Sequence, residues 1–219
     1  MACLIRIHDL PHIVDIERFR RQSASADVAA IRVALTTSES QVVLLFVGKL
    51  APHKRPLDLV DAVAQLAEEE RRRFVLWYVG SGVLQTEIEQ RAEAADVNCR
   101  MLGFRNQSEL PEIYAAADCL VLTSHETWGL VVNEAFACGT PALVSSSVGC
   151  SSDLIENGVT GWCIESGVPG LLAKKIRQFS RTLLSSLSEA VVERAEKYTL
   201  AEGSRIFVKE LTDISRDVV

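Results

Sequence analysis

Short apolar runs alternate with amphipathic segments through the middle of the chain, and this alternation restricts the fold more than any other feature of the sequence. The run Val42–Val47 is continuous and rich in β-branched residues, which is typical of a strand covered on both faces. Similar runs, separated by helical segments, continue to Phe179. Strands separated by helices predict βαβ units, a parallel sheet and right-handed crossovers with helices on both faces. We therefore expect an α/β protein with a Rossmann-like open parallel sheet.

Each predicted strand is followed by a polar or glycine-containing loop and then by a helix. The predicted strands are residues 42–47, 74–79, 99–102, 120–122, 142–145 and 160–164. The predicted helices are residues 27–35, 57–70, 84–95, 109–117 with Ser108 as N-cap, the segment from Gly129 to Cys138, 154–157, 167–185, 187–198 and 201–214. An extended connector is expected at 10–20. We divide the chain into an N-terminal segment at 1–40, an α/β domain at 41–185 and C-terminal helices at 186–219.

Two glutamates, Glu126 and Glu134, are separated by seven residues just after a predicted strand. Gly129 lies between them where a helix can begin, so Glu134 lies about one turn inside that helix. The amino end of a helix suits a phosphate, and we expect the backbone of Trp128, Gly129 and Leu130 to meet one. Glu134 can then accept two hydrogen bonds from a vicinal diol such as a ribose. The alternative is that both glutamates are ordinary surface and first-turn charges of the helix.

A basic loop follows the first predicted strand. It carries Lys49, Lys54 and Arg55 in a chain whose net charge is −6. Loops that follow parallel strands meet at the carboxyl edge of the sheet, so these cations share an edge with the two glutamates. Lys49 and Lys54 can flank a pyrophosphate as point charges, whereas Arg55, beside a helix start, is expected to have no role in binding. A solvated basic loop is the alternative for all three.

Composition limits the class of ligand and the compartment. Hydrophobic residues make up 48% and charged residues 24%, as in an ordinary globular chain, and the negative net charge opposes binding to a nucleic-acid backbone. No apolar run approaches the roughly 20 residues that span a bilayer, and the first residues contain no signal-peptide core. The six cysteines show no metal-ligand spacing, so we expect reduced, mostly buried thiols in a cytoplasmic protein.

Several familiar motifs are absent from the sequence. Residues 80–82 read G-S-G but lack the third glycine of a dinucleotide-binding fingerprint, and no acidic residue ends the following strand. There is neither a G-x-x-x-x-G-K-[ST] phosphate loop nor a G-x-S-x-G nucleophile elbow. The histidines are scattered; a surface role is expected even for His125, which precedes Glu126.

Taken together, the loops resemble the nucleotide-sugar-binding half of a retaining glycosyltransferase of family 4, which has the GT-B fold. The matching segments occur in the family's order and spacing across about half the chain. They are G-K-L and K-R-P within 48–56, V-G-S-G at 79–82, L-G-F at 102–104, Y-A-A-A-D at 114–118, E-x7-E at 126–134, V-G-C-S-S-D-L-I-E-N-G at 148–158 and, in the connector, I-V-D-I-E-R-F at 13–19.

The resemblance implies a role for each matched residue. Lys49 and Lys54 would contact the donor diphosphate, Glu126 the hydroxyls of the donor sugar and Glu134 the ribose, with Glu126 and Lys54 as the catalytic residues. The backbone of Trp128, Gly129 and Leu130 would contact the phosphate or the sugar. Gly80, Phe104 and Arg105 would line the pocket for the nucleobase. The implied chemistry is electrostatic stabilisation of the leaving diphosphate, with neither a cofactor nor a metal.

The resemblance covers only one half of a GT-B enzyme. It implies a UDP-, GDP- or ADP-linked donor sugar, a glycan or lipid acceptor, and an N-terminal acceptor domain supplied in cis or in trans, without which we expect the chain to be inactive. Residues 1–40 then contain the inter-domain connector, and 41–185 form the donor-binding domain. Localisation is expected to be cytoplasmic, and the family's acceptors also allow peripheral association with the inner face of a membrane.

The sequence departs from the family pattern at four places. Lys49 stands where arginine is common, and a lysine cannot make the bidentate contact with phosphate that an arginine makes. The other three departures are Thr127-Trp128 in place of a frequent Gly-Phe, Cys150 in place of a glycine and Asp153 in place of a glutamate. Two other interpretations remain open: a non-catalytic partner subunit of a split glycosyltransferase, and half of a GT-B nucleotide-sugar epimerase.

Overall fold

A computed structural model describes residues 10–36 and 38–217 of the chain. The sequence-based expectations for the first nine residues, which concern the signal peptide, Cys3 and His8, lie outside the described residues.

Within the described residues, six parallel strands form one sheet, as the alternation of apolar runs and helices predicts. The strands are β1 (Val42–Val47), β2 (Phe74–Val79), β3 (Cys99–Gly103), β4 (Cys119–Leu122), β5 (Ala142–Ser145) and β6 (Gly161–Ile164). Their spatial order is β3-β2-β1-β4-β5-β6. From β1 the chain continues to β2 and β3 on one side of the sheet, and from β4 it continues to β5 and β6 on the other side. Loops at the carboxyl ends of β1 and β4 therefore diverge and leave a crevice between them.

Helices cover both faces of the sheet. In chain order they are α1 (Ile16–Ala24), α2 (Val28–Leu35), α3 (Leu57–Ala64), α4 (Glu68–Arg71), α5 (Gln85–Ala94), α6 (Leu110–Ala116), α7 (Leu130–Ala137), α8 (Ser151–Leu154), α9 (Pro169–Ile176), α10 (Arg181–Ser185), α11 (Ser188–Ala195) and α12 (Leu200–Asp217). Side chains of α1, α6, α7 and α11 enter one core, and those of α3, α5, α9 and α10 enter the other.

Alternate residues of each central strand enter the two cores. Along β1, Val43 and Leu45 belong to the core on one face, whereas Leu44 and Phe46 belong to the core on the other. This division follows from the two-residue period of a strand. It explains why the strand sequences are continuous apolar runs instead of alternating patterns, because neither face of the sheet meets water.

Two long predicted helices are each broken in two. The helix expected at 57–70 ends after Ala64, because Leu66 is buried and Ala67 adopts an extended conformation with ψ 152° before α4 begins. The helix expected at 167–185 is interrupted at Ser180, an extended residue whose hydroxyl accepts a hydrogen bond from the Leu183 N–H at the start of α10. Helical periodicity alone does not reveal the second break, because α9 and α10 both present apolar residues to the same core, whereas α4 is wholly charged and buries no residue.

Three further expectations were wrong. The expected connector at 10–20 contains the start of α1, which Asp15 caps by accepting a hydrogen bond from the Arg18 N–H and which buries Phe19 in the core. Ser108 does not cap α6; its hydroxyl lies 2.5 Å from the side-chain oxygen of Asn106 instead. The turn expected at 154–157 occurs earlier, as α8, because Ile155 is already extended.

Asp118, which lies in the Y-A-A-A-D segment, joins β1 and β4 to the N-terminal helices. One carboxylate oxygen accepts hydrogen bonds from the Val43 N–H at 2.7 Å and from the Arg32 guanidinium at 3.0 Å. Arg32 also donates to the carbonyls of Ala116 and Gln41, and both charged side chains are nearly buried. The motif aspartate therefore has a structural role at the amino end of the sheet, opposite the crevice.

Replacing Arg32 with Leu is expected to lower the free energy of unfolding by about 3 kcal/mol, because it removes one partner of a buried ion pair. Val43 and Arg181 still compensate part of the Asp118 charge, which keeps the loss at the lower end of the range for such pairs. The matched control is Arg72→Leu, which breaks only the exposed pair with Glu68 and should change stability by less than about 0.5 kcal/mol. Urea denaturation measures both changes, and equal losses would contradict this role of Arg32.

Candidate functional site

Two loops border the crevice at the point where the strand order reverses. Residues 48–56 follow β1 and carry Lys49 and Lys54, and residues 123–129 follow β4, carry Glu126 and lead into α7. Open α/β sheets bind their ligands at this position, outside the carboxyl ends of the strands. The topology thus brings together two segments that are about 70 residues apart in the sequence.

An ion pair crosses the crevice between these loops. The ammonium of Lys54 lies 2.6 and 2.7 Å from the two carboxylate oxygens of Glu126, and the hydroxyl of Ser124 donates to the same carboxylate at 2.7 Å. Lys54 ends a 3-10 turn, and the next residue, Arg55, has the left-handed φ of 51° and accepts a hydrogen bond from the Thr123 hydroxyl. The Lys54 side chain is 26% exposed and the Glu126 side chain 18%, so both ion-pair partners are largely buried. A ligand that contacts both must therefore replace or share this ion pair.

Two adjoining hollows open from the crevice. The first, of about 390 Å³, is lined by His12, Phe46, Val47, Gly48, Lys49, Lys54, Leu122, Glu126, Thr127, Trp128, Gly129, Leu130 and Val131. The second, of about 340 Å³, is lined by Val47, Gly48, Lys49, Val79, Gly80, Ser81, Phe104, Arg105 and Leu110. Lys49 lines both, and within the described part of the chain it makes no ion pair. Every predicted site residue except Glu134 lines at least one of these two hollows.

The amino end of α7 faces the first hollow. Gly129 is the N-cap, as predicted, with φ 107°, and a Cβ atom there would lie 3.0 Å from Val148 and 3.2 Å from Leu122. Both the backbone conformation and the space therefore favour glycine. The N–H groups of Leu130 and Val131 have no acceptor within the helix and can bind an anion, whereas the Val132 N–H already donates to the Gly129 carbonyl at 2.9 Å.

A third loop, after β5, holds the Glu126 segment in place. The Glu126 N–H donates to the Ser147 carbonyl at 3.1 Å, and the Gly149 N–H donates to the Glu126 carbonyl at 2.9 Å. A Cβ atom on Gly149 would lie 1.9 Å from the Thr127 carbonyl oxygen, so this approach requires glycine. Cys150, the next residue, is fully buried beside this contact. This third loop therefore fixes the backbone of the Glu126 loop.

Trp128 is fixed from three sides at the wall of the first hollow. Its indole N–H donates to the side-chain oxygen of Asn133 at 2.8 Å, and its ring lies 4.9 Å from that of His12 and 6.0 Å from that of Tyr198. His12, which has no motif in the sequence to distinguish it, thus joins the site through a ring contact. His125, by contrast, is exposed and lines neither hollow.

Glu134 lies deeper than the other site residues. It is only 5% exposed, and its carboxylate accepts hydrogen bonds from the Tyr114 hydroxyl at 2.8 Å and from the Gln107 amide at 3.3 Å. Leu130, one turn earlier on the same side of α7, lines the first hollow. Burial raises the pKa of Glu134, while the Tyr114 hydrogen bond and the charge of Arg18 partly oppose that increase. Neither Gln107 nor Tyr114 was predicted to act here.

The remaining predicted residues lie at the second hollow. Phe104 is 77% exposed, and Arg105 forms an ion pair with Glu109 at 3.1 Å. Gly80, which was predicted to line the base pocket, also lines the second hollow, and a Cβ atom there would lie 1.9 Å from the Gly48 carbonyl oxygen. Glycine at this position is needed for contact between two loops of the protein itself. The outward-facing ring of Phe104 offers a flat apolar surface suited to stacking.

The described residues hold no group of three or more His, Cys, Asp or Glu side chains arranged to bind a metal ion. The five described cysteines are free, and Cys119 and Cys150 are buried, whereas the other three are partly buried. Burial raises the pKa of Cys99, Cys138 and Cys150 to about 12, which leaves these thiols protonated and weakly nucleophilic. No helix within the described ranges combines the length and apolarity needed to cross a bilayer.

Residues 27–198, most of the chain, match the family described as glycosyl transferases group 1. The chain belongs to this family. Two curated relatives of this glycosyltransferase-family chain are D-inositol 3-phosphate glycosyltransferases. The enzyme of Geodermatophilus obscurus is 36% identical to this chain over an alignment that covers 81% of this chain and 41% of the enzyme. The enzyme of Catenulispora acidiphila is 32% identical to this chain over an alignment that covers 92% of this chain and 50% of the enzyme. The chain spans half or less of the length of these relatives.

Solved structures of glycosyltransferases have the same fold as this family member. HepE of Anabaena, in complex with UDP and glucose, superposes with a TM-score of 0.74 at 22% identity, covering 91% of this chain and 55% of HepE. WaaG, a glycosyltransferase involved in lipopolysaccharide biosynthesis, gives a TM-score of 0.73 at 25% identity, covering 85% and 51%. The Rossmann-like sheet with helices on both faces is thus that of one half of a GT-B glycosyltransferase.

Replacing Glu134 with Gln is expected to become more favourable to stability, relative to the unmodified chain, as the pH rises towards neutral, because burial raises the pKa of Glu134 and disfavours its ionised carboxylate. The pKa of Glu134 is higher in the folded chain than in the unfolded chain, where it is about 4.3. Below pH 4.3 the protonated side chain therefore makes its full contribution to stability, and this contribution is lost as the pH rises through the pKa of the folded chain. The advantage of Glu134→Gln should therefore shrink as the pH falls from about 8 towards 4.3.

Urea denaturation across this pH range measures the effect. The control is Glu93→Gln, which changes an exposed carboxylate of α5 and should show no such trend. A Glu134→Gln variant whose stability relative to the unmodified chain does not vary with pH would contradict the raised pKa.

Proposed function

We propose that this chain is the donor-binding half of a retaining family 4 glycosyltransferase that uses a nucleoside-diphosphate sugar. The observation that carries the proposal is the Lys54–Glu126 ion pair across the crevice, with the amino end of α7 beside it. A cation and an anion held together at the rim of a sheet suit a ligand that has both a diphosphate and sugar hydroxyls. Membership of the glycosyl transferases group 1 family supports the same function.

The donor is proposed to bind across the two adjoining hollows. Its diphosphate would lie between Lys49, Lys54 and the first N–H groups of α7, with the sugar hydroxyls on Glu126. The base would enter the second hollow, against Phe104 and Arg105. UDP-, GDP- and ADP-linked sugars all fit this description. UDP is the first choice as a probe, because HepE, which has the same fold, was solved with UDP and with UDP-glucose.

The proposed catalysis is electrostatic. When the bond between the anomeric carbon and the diphosphate breaks, negative charge grows on the leaving oxygen. Lys54, Lys49 and the helix amino end would stabilise that charge without a metal ion. Glu126 would orient the sugar through its hydroxyls. The oxygen of an acceptor hydroxyl would bond to the anomeric carbon on the same face of the sugar, and its proton would pass to the departing diphosphate oxygen.

A second domain is part of the proposal. Because the chain spans half or less of its curated relatives, we propose that an acceptor-binding domain, in cis or in trans, supplies the facing wall of the crevice. The chain alone would then bind the nucleotide and transfer little or no sugar to a glycan or lipid acceptor. We place the assembly in the cytoplasm, with peripheral association at the inner membrane face when the acceptor is a lipid.

Calorimetry with UDP, GDP and ADP, and with a hexose derivative of each, tests the donor site. At least one nucleotide should bind, and Lys54→Met should weaken its binding by about 10- to 100-fold, because one charge-assisted hydrogen bond to phosphate is lost. The matched control is Lys174→Met, which removes an exposed lysine of α9 and should leave the affinity unchanged. Thermal melting verifies that each variant is folded.

Failure of all six compounds to bind at millimolar concentration would defeat the donor-site assignment. Equal effects of Lys54→Met and Lys174→Met would remove Lys54 from the site. Conversion of a nucleotide sugar without any acceptor would favour the epimerase interpretation over transfer.

A further inference from the structure

Glu134 is joined to helix α1 by a chain of hydrogen bonds that includes two residues outside the predicted site. The guanidinium of Arg18 donates to the side-chain oxygen of Gln107 at 2.9 Å and to its backbone carbonyl at 3.0 Å. The amide nitrogen of Gln107 then donates to one oxygen of Glu134 at 3.3 Å, and the Tyr114 hydroxyl donates to the other at 2.8 Å. Gln107 and Tyr114 thus contact the carboxylate directly, and Arg18 reaches it through Gln107.

We propose that Arg18 and Gln107 are positioning residues that hold the Glu134 carboxylate ready to accept hydrogen bonds from the 2′ and 3′ hydroxyls of a ribose. They would thereby make the donor site selective for ribonucleotides over 2′-deoxyribonucleotides. This inference rests on the proposed function: the ribose contact of Glu134 is the one that the family resemblance implies, and the new element is the pair of residues that positions its carboxylate.

The bonding capacity of the carboxylate supports a diol as its ligand. An ionised carboxylate offers about four lone-pair positions, two on each oxygen. Tyr114 occupies one position on one oxygen, and Gln107 occupies one on the other. One acceptor position remains on each oxygen. Two adjacent hydroxyls can donate to these positions in parallel, whereas a single hydroxyl leaves one of them unused.

Arg18 determines which end of the Gln107 amide faces Glu134. A glutamine amide carries an acceptor oxygen and a donor nitrogen, and it can turn over to exchange them. Because Arg18 only donates, it holds the oxygen, and the nitrogen must then point away from Arg18 and towards Glu134. Without Arg18, the exposed Gln107 side chain is free to rotate or to present its oxygen to the carboxylate, which is repulsive.

Arg18 is itself held in place. Its guanidinium lies 4.6 Å from the centroid of the Phe19 ring, and Phe19 is buried in the core. Asp15, the N-cap of α1, lies 3.7 Å from the Arg18 side chain. The positive charge of Arg18 also lowers the pKa of Glu134 against the effect of burial, which favours the ionised, acceptor-only form.

Calorimetry with UDP, GDP and ADP and with their 2′-deoxy forms tests the inference in the full chain. For the nucleotide that binds, the ribose form should bind about tenfold more tightly than the deoxy form, since one hydrogen bond to a charged group is lost. Arg18→Met and Gln107→Leu should each reduce this ratio to about two- or threefold, mainly by weakening the ribose form. Arg20→Met is the matched control, because Arg20 lies on the same helix but pairs with Glu196.

The outcomes separate this inference from the proposed function. If the unmodified chain binds no nucleotide, the proposed function fails and this inference fails with it. If it binds ribose and deoxy forms equally, or if Arg18→Met keeps the tenfold ratio, the donor site stands and the positioning role is overturned. A variant that weakens both forms equally has lost general structure, and that result also overturns the positioning role. The positioning role is supported if Arg18→Met and Gln107→Leu both lower the ratio of ribose-form to deoxy-form affinity while Arg20→Met leaves that ratio unchanged.

Discussion

The reversal of winding between β1 and β4 is the constraint on which the rest of the site depends. These strands are neighbours in the sheet, but the chain leaves them in opposite directions, so their following loops cannot pack over one another. The Lys54–Glu126 ion pair joins the loops across the opening that results. Charged side chains remain there because the loops are only partly buried, whereas the strands below them are covered on both faces.

Loop-to-loop contacts fix the shape of this opening more than contacts within any one loop. Gly80 and Gly149 each lie where a side chain would collide with the backbone carbonyl of another loop, that of Gly48 or of Thr127. Glycines in glycosyltransferase-like motifs are easily interpreted as ligand contacts. In this fold their first role is to let the loops after β1 and β2, and those after β4 and β5, approach closely. The ligand-facing surface is a consequence of that packing.

The sequence predicted the sheet closely and the helices less well, for a physical reason. Each predicted strand is within one residue of the observed one, because a strand buried on both faces is a continuous apolar run bounded by polar loops. The breaks at Ala67 and Ser180 and the helix that begins at Ile16 depend on which side chains the core accepts, and helical periodicity does not record this. Tertiary packing overrode local preference at all three.

The candidate site divides in the same way. Residues within motifs, such as Lys54 and Glu126, could be predicted together because the order of parallel strands places their loops at one edge. Arg18, Gln107 and His12 carry no motif, and they reach the site only through the packing of segments that are distant in the sequence. Glu134 was predicted to contact a ribose, and the hydrogen bonds that its carboxylate accepts from Tyr114 and Gln107 became apparent only in the folded chain.

A crystal structure of the chain with a bound nucleoside-diphosphate sugar would test the central claim most directly. The account predicts the diphosphate within hydrogen-bonding distance of the Lys54 ammonium and of the first N–H groups of α7, with sugar hydroxyls on Glu126 in place of its ion pair with Lys54. A ligand bound away from this crevice, or one that lies there while its phosphates contact neither Lys54 nor α7, would contradict it.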